Sequence, residues 1–439
     1  MRSGELETPK QNRSTPFNAL PGIRSGLRLC CTAFAFSSFL LSGCVAMRDF
    51  PAPNLPPLSR LEDAESADRP RRKSGEHVLP AEGIAADKPR DVLVLSSGAM
   101  NGAFPAGLLK GWSESGTRPE FDVVTGISTG ALIAPFAFLG PEYDAELERA
   151  YTSLKADQIY RLRFLLTVPW SDALADSEPL RRRIKKEITT EMLARIAHEH
   201  RKGRRLYVGT TNLDTLQLVE WDMGAIAAGD DPHKLELFHE VLLASCAIPG
   251  FLPPVPININ IDGKHYSELH ADGNVTASLF VPSQIFEDEP GSEERLAAHE
   301  NGGTILHVIV AGKLVPDRAA VERRLFHVSD VSLKGLIQSQ METDLQRIYL
   351  LTRMTGMQFR LAAIPQDLTT SASSLSFDPQ SMRQVFDAGR QFGQHDGRWL
   401  ELPPGIDPSD WKSPRVGVTF TAQPTRAKSN RRARSAAAP

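Results

Sequence analysis

The sequence predicts an α/β fold with a mostly parallel central sheet sandwiched by helices, and three observations carry that expectation. Asp91-Val92-Leu93-Val94-Leu95 is an almost unbroken apolar run, as expected of a strand buried on both faces. A second run, Asp122-Val123-Val124-Thr125, enters Gly126-Ile127-Ser128-Thr129-Gly130 and turns at once into an apolar helical pattern from Ala131. Further strand-like runs over 205–211 and 304–310 alternate with helical patterns over 180–200 and 330–357. Strands that alternate with helices of this length build parallel sheets covered on both sides, with ligands at the carboxyl ends of the strands.

The chain has 439 residues, enough for one large domain or two ordinary ones. With 41% hydrophobic and 23% charged residues it has a globular composition. A formal net charge of -3 and the lack of a basic recognition motif argue against nucleic acid as a partner. Of the four cysteines, Cys30, Cys31 and Cys44 lie near the amino terminus, leaving Cys246 as the thiol of the folded part. Oligomeric state has no signature in the sequence.

At the amino terminus, Arg24 and Arg28 precede an apolar run from Leu29 to Leu41, followed by Ser42, Gly43 and Cys44. Basic residues, a short apolar run and small residues before a break have the form of a secretory signal, expected here over 1–43. The run is shorter than the ~20 apolar residues of a spanning helix. Leu41-Ser42-Gly43-Cys44 resembles the lipobox of bacterial lipoproteins, which implies cleavage before Cys44 and acylation of its thiol and new amino group. That resemblance makes the chain a membrane-anchored lipoprotein, and Val45 after the cysteine favours the outer membrane, facing the periplasm. The stretch ahead of Arg24 is longer than such a leader needs, as expected if translation starts at a later codon. Residues 44–89, rich in Pro, Arg, Glu, Asp and Ala, are expected to form a tether. Residues 90–402 are expected to fold, and 403–439 to form a basic disordered tail.

Within the folded region the strand at 91–95 runs into Ser96-Ser97-Gly98-Ala99-Met100-Asn101-Gly102 and then a helix carrying Phe104, Leu108, Leu109 and Trp112. A glycine-containing turn at the start of a helix aims backbone N–H groups at one point, where an oxyanion could sit. It lacks the Lys-Ser/Thr of a phosphate-binding P-loop. Gly126 and Gly130 allow the strained turn of a nucleophile elbow, which presents Ser128 at the end of its strand. No histidine stands in a recognisable catalytic setting, whereas an acid, Asp272, precedes Gly273 and Asn274 after a strand pattern over 264–269. Cys246 reads as a packed helix end, and His198 and His200 as a solvated helix face. His270 is expected to pack rather than to act. No metal site and no cofactor loop is evident in the sequence.

Together these segments resemble the patatin-like phospholipase family, whose active site is a Ser-Asp dyad. The glycine-rich oxyanion turn of that family corresponds to 97–102, its elbow to 126–130 and its Asp-Gly motif to 272–274. Further likeness lies in Ala244-Ser245-Cys246-Ala247-Ile248-Pro249 and in Asp176-Ser177-Glu178-Pro179-Leu180. The resemblance implies a patatin-like α/β hydrolase domain, with Ser128 and Asp272 catalytic. It implies an oxyanion hole at Gly98, Ala99 and Met100, and motif glycines at Gly102, Gly126, Gly130 and Gly273. The implied activity is cleavage of carboxylic esters of membrane phospholipid or another lipid ester, of phospholipase A or lysophospholipase type, without a cofactor. Ser97 and Ala99 replace glycines of the family turn, Asn101 replaces its basic residue, and Asn274 stands where the family has a small one. Two other readings compete. One is an ordinary triad of Ser128, an Asp and a late histidine, His307 or His395, against which stands the single strand ahead of the elbow. The other is a binding or scaffold lipoprotein that keeps the fold without the activity.

Overall fold

A computed structural model describes residues 91–164, 166, 170–261, 264–287, 303–318, 320–370, 373–395 and 399–406, with the backbone of 71–73. The expected leader, Cys44, most of the tether and almost all of the tail lie outside the described residues.

The strands are β1 (Arg71–Lys73), β2 (Asp91–Leu95), β3 (Val123–Ile127), β4 (Arg161–Leu162), β5 (Ala175–Asp176), β6 (Arg205–Asn212), β7 (Gln217–Asp222), β8 (Val255–Ile261), β9 (Lys264–Asp272), β10 (Ile305–Val310) and β11 (Gln358–Ala363). The main sheet runs in the order β1-β7-β6-β3-β2-β10-β11, and its centre, from β6 to β11, is parallel. Hairpins then add antiparallel strands: β7 on one side of β6, and β9 with β8 on the other. Strand β6 therefore changes partner along its length. Arg205–Gly209 pair with β3, while Thr210–Asn212 pair with β9.

The apolar runs of the central strands feed two cores. Leu93, Leu95, Val124 and Ile309 face one side, whereas Val92, Val94, Val123 and Val308 face the other. That alternation is the period-2 geometry of a strand, and it makes every residue of β2 and β3 worth burying. The first core is closed by α1 (Ala103–Glu114), α2 (Thr129–Leu139), α3 (Lys234–Ser245) and α5 (Pro379–Gln394). The second is closed by α4 (Leu325–Thr355), through Met341, Leu345 and Ile348. The α/β sandwich expected from the alternation of elements is thus the observed fold.

Helices α1 and α5 touch through glycines. A Cβ on Gly389 would lie 2.1 Å from the carbonyl oxygen of Phe104, and one on Gly107 2.0 Å from that of Phe386. Gly111 and Gly393 repeat the arrangement a turn further on. Two faces with a glycine every fourth residue let the backbones approach to a distance no side chain permits. The helical pattern over 180–200 is two helices, Glu178–Glu187 and Thr190–Arg201, because Thr189 turns extended and caps the second by accepting from Met192 N–H.

Candidate active site

Ser128 sits between β3 and α2 with φ 56 and ψ -121, a conformation costly for any residue with a Cβ. Its neighbours make the turn possible. A Cβ on Gly126 would lie 2.4 Å from the carbonyl oxygen of Gly130, and one on Gly130 2.5 Å from that of Leu95. Elbow, strand and helix therefore meet at backbone distance, and only glycine fits at both positions. The strained turn is held from outside by Ser245, fully buried at the end of α3. Its hydroxyl accepts from Ser128 N–H at 2.9 Å and donates to Gly209 O at 2.7 Å. Cys246, next along, donates its thiol to Ser128 O at 3.4 Å.

Register explains how Asp272 reaches this turn from far along the chain. Ile127, the last residue of β3, pairs with Gly209, and the next residue of β6, Thr210, pairs with Asp272. Strand β9 thus takes over the edge of β6 at the level where β3 ends and Ser128 begins. The Ser128 side chain lies by the Asp272 carboxyl and favours its charged form, and the carboxyl accepts from Asn274 N–H at 2.9 Å. A Cβ on Gly273 would approach Gly209 O to 2.8 Å, so this turn too is packed onto β6. The side chain of Asn274 turns away from the acid and accepts from Ser278 Oγ at 2.6 Å.

Asp272 is 3% exposed, and burial pushes its pKa up to about 7 against the lowering effect of its hydrogen bonds to Asn274 and Ser128. The sign of the stability effect follows. Between about pH 4 and 7 the unfolded chain has released this proton and the native one has not, so stability falls as pH rises through that window. Asp272→Asn, which keeps the acceptor for Asn274 and cannot ionise, is expected to raise the melting temperature at pH 8 and leave it nearly unchanged at pH 4. Equal shifts at both pH values in calorimetry would contradict a buried, reluctantly charged carboxyl.

The turn after β2 faces the same place. Gly98 packs so tightly on the exit of β10 that a Cβ would lie 2.2 Å from Ala311 O, and Ala99 takes φ 49, the left-handed region that favours glycine. Among the described residues, the N–H groups of Gly98 and Ala99 have no acceptor, and Ala99 and Ser128 line one cavity. Met100 corrects the sequence reading. Its N–H donates to Ser374 O at 3.1 Å and its side chain is fully buried, so it has no free donor to offer an oxyanion. Gly102 lies deeper, at the start of α1, where a Cβ would strike Thr129 Oγ1 at 2.2 Å.

The cavity opens to solvent and has almost entirely apolar walls. Leu132, Tyr160, Leu180, Phe251, Leu375 and Phe377 are among its lining side chains. Tyr151 presents no charge to it, since its hydroxyl is bonded to Thr129 at 2.7 Å and burial raises its pKa. Burial, with Asp272 nearby, likewise pushes the Cys246 thiol well above its ordinary pKa, which leaves it a packed, inert group. A serine beside a carboxyl of raised pKa, with two N–H donors on the neighbouring turn and an apolar cavity, is equipped to transfer an acyl group from an ester with an apolar chain.

The histidines stand elsewhere. His307 is buried against Asp91, 2.7 Å away, and against Trp112, at the opposite end of the sheet from Ser128. His395 follows Gln394, whose side chain bonds Glu114 at the far end of α1. Neither can complete a triad. His270 is fully buried and bonded to Thr210 and Glu268, a packing role as expected. His200, read from its charged helix as solvated, is half-buried instead, with Nδ1 3.7 Å from Asp222. Sequence reasoning passed over Ser245, whose only signal was its place in the small-residue run before Pro249, and it assigned no role to Leu375 and Phe377. Among the described residues, no group of three His, Cys, Asp or Glu side chains is arranged to hold a metal ion. Among them also, no helix is long and apolar enough to cross a membrane.

Residues 93–282 match the family model described as patatin-like phospholipase. No curated protein sequence matches the chain. Among solved structures, VipD from Legionella pneumophila is similar at 12% identity and a TM-score of 0.36, over 76% of this chain and 72% of VipD, too distant to carry an argument.

Proposed function

We propose, from the premise that residues 93–282 form a patatin-like phospholipase domain, that the protein hydrolyses carboxylic esters of membrane lipids with a Ser128-Asp272 dyad. The observation that carries this reading is the register that sets the strained Ser128 beside Asp272, a buried carboxyl whose pKa lies near 7. Ionised Asp272 takes the hydroxyl proton as Ser128 Oγ attacks the ester carbonyl carbon. The N–H groups of Gly98 and Ala99 face the oxygen as it gains charge. Collapse of the tetrahedral intermediate breaks the ester bond, Asp272 returns the proton to the departing alcohol, and an acyl-enzyme remains. Water, activated by the same carboxylate, then releases the fatty acid and restores Ser128. The apolar cavity is suited to the acyl chain, which makes a phospholipase A or lysophospholipase the expected type.

A fluorophosphonate probe tests the reading directly. Labelling of the purified protein is expected, with hydrolysis of phospholipids or long-chain esters, and both are lost in Ser128→Ala. A protein that neither reacts with the probe nor cleaves any ester of such a panel would instead be a scaffold built on this fold.

Anchoring belongs to the same proposal. Leu41-Ser42-Gly43-Cys44 supports acylation of Cys44 and a place on the periplasmic side of the outer membrane, beside the lipid substrate. Labelled fatty acid should enter the expressed protein and be absent from Cys44→Ala, and fractionation reads out the membrane.

A further inference from the structure

A short hairpin stands at the mouth of the cavity, between two of its lining residues, Tyr160 and Leu180. Its base is the pair β4–β5, extended by Arg163 N–H donating to Leu174 O. Ala175 N–H donates to the carbonyl of Phe251, itself a cavity wall, so the hairpin is fixed to the mouth by backbone. Along the hairpin the described residues Leu162, Phe164, Leu166, Trp170 and Leu174 are between 41% and 70% exposed. That much exposed apolar surface on so short a segment costs solvation.

A second apolar projection rises from the same edge of the sheet. Strand β10 is parallel to β2 and β3, so the loop after it leaves on the Ser128 side. Asp344, well along α4, accepts from Ser278 N–H at 2.7 Å, and Ser278 O accepts from Ser97 N–H, which puts Asp344 level with that edge. The helix continues from there to Thr355 and the start of β11 at the opposite edge, so its first turns extend beyond the sheet. From Leu325 to Gln338 that is about 20 Å of helix. On it Val328, Val331, Leu333 and Leu336 are exposed.

We propose that these two projections are the surface with which the protein rests on a lipid bilayer, the hairpin inserting its apolar side chains so that the cavity mouth opens onto the lipid. The proposal rests on the reading of the protein as a lipid hydrolase and adds how substrate reaches the site. Three features favour a bilayer over a protein partner. The apolar residues are split between two projections at one edge of the sheet rather than gathered in a groove. They are Leu, Phe, Val and Trp, the side chains that enter the headgroup–acyl boundary. The charges suit a headgroup layer: the hairpin is balanced, with Lys155, Arg161 and Arg163 against Asp157, Asp172 and Asp176, and the helix region carries a small surplus of cations, Arg318, Arg323, Arg324 and Lys334 against Asp317, Glu322 and Asp330, which favours anionic headgroups. A lipid acyl chain entering here leaves one apolar phase for another and need not cross water.

The test uses the full chain carrying Ser128→Ala, so that lipid turnover does not alter the membrane and the outcome is independent of the hydrolase reading. Vesicles of phosphatidylethanolamine and phosphatidylglycerol with brominated acyl chains are added while tryptophan emission is followed. Bromolipid is expected to quench a component of the emission that disappears in Trp170→Phe. The triple variant Leu162→Ser, Phe164→Ser, Leu166→Ser should need roughly tenfold more lipid for the same quenching. Because these side chains are exposed, thermal melts should show the triple variant folded. Absence of any Trp170-dependent quenching, or the same lipid dependence in the triple variant, overturns the proposal. A failure to hydrolyse lipid in the Ser128 protein, with quenching intact, would instead overturn the dyad and leave the docking surface standing.

Discussion

Ester hydrolysis by the Ser128→Ala protein is expected to fall by about 10³-fold or more, and Asp272→Asn by a comparable factor, with the double variant little worse than either. In the proposed dyad the two groups act as one unit, a nucleophile with its proton acceptor, so removing either would remove the covalent route. What activity remains reports binding and the donors of Gly98 and Ala99. The same pair sets the pH dependence. Asp272 accepts a proton only when ionised, and burial has moved its pKa to about 7, so kcat/KM should rise across neutral pH and level off above about 8. An ordinary carboxylate would give a rate already flat from about pH 5 upward. A profile flat between pH 5 and 8, or wild-type turnover in Asp272→Asn, would remove the acid from the mechanism.

The second large effect concerns stability. Gly389→Ala should destabilise the domain severely, by about 3 kcal/mol or more, although it adds one methyl group to a helix and helical propensity alone favours the change. The added carbon would sit 2.1 Å from the Phe104 carbonyl, a backbone atom that cannot rotate away, so α5 must back off α1 along its whole length. Leu375 and Phe377, just ahead of α5, would move with it and open the cavity wall. Denaturant melts measure the loss, and hydrogen exchange should show α5 as the first element to open. A midpoint within error of the parent protein would mean that the helices are not in backbone contact.

Much of this was legible in the sequence because the signals were local. The apolar run of β2, the glycines around Ser128 and the Asp-Gly of 272–273 each state a backbone requirement within a few residues. Their order along the chain sufficed to pair Ser128 with Asp272. The rest depends on contacts between distant segments, which periodicity does not encode. Met100 looked like an N–H donor from its place in the turn, and only the arrival of Ser374 shows that donor to be occupied. Ser245 looked like one small residue among several, and its role appears once α3 ends beneath the elbow. The hairpin β6–β7 escaped notice because Asn212 to Gln217 carries a weak turn signal, and of β8–β9 only the second strand was read. The glycines of α1 and α5 were readable as a spacing, yet nothing in either helix names the other as its partner.

The clasp between α1 and α5 also has a consequence for the order of events during synthesis. Helix α1 and the turn before it leave the ribosome early, but Ser374, Leu375, Phe377 and α5 emerge near the end of the described domain. A chain extended only to the last residue of the family match holds Ser128 and Asp272, yet lacks the strand neighbours β10 and β11 and the helix that backs α1. Its pocket has a missing wall, and the Met100 N–H has no acceptor. Contacts that span nearly three hundred residues close slowly and last. A pocket of this build is therefore incomplete until the final helix of the domain locks down.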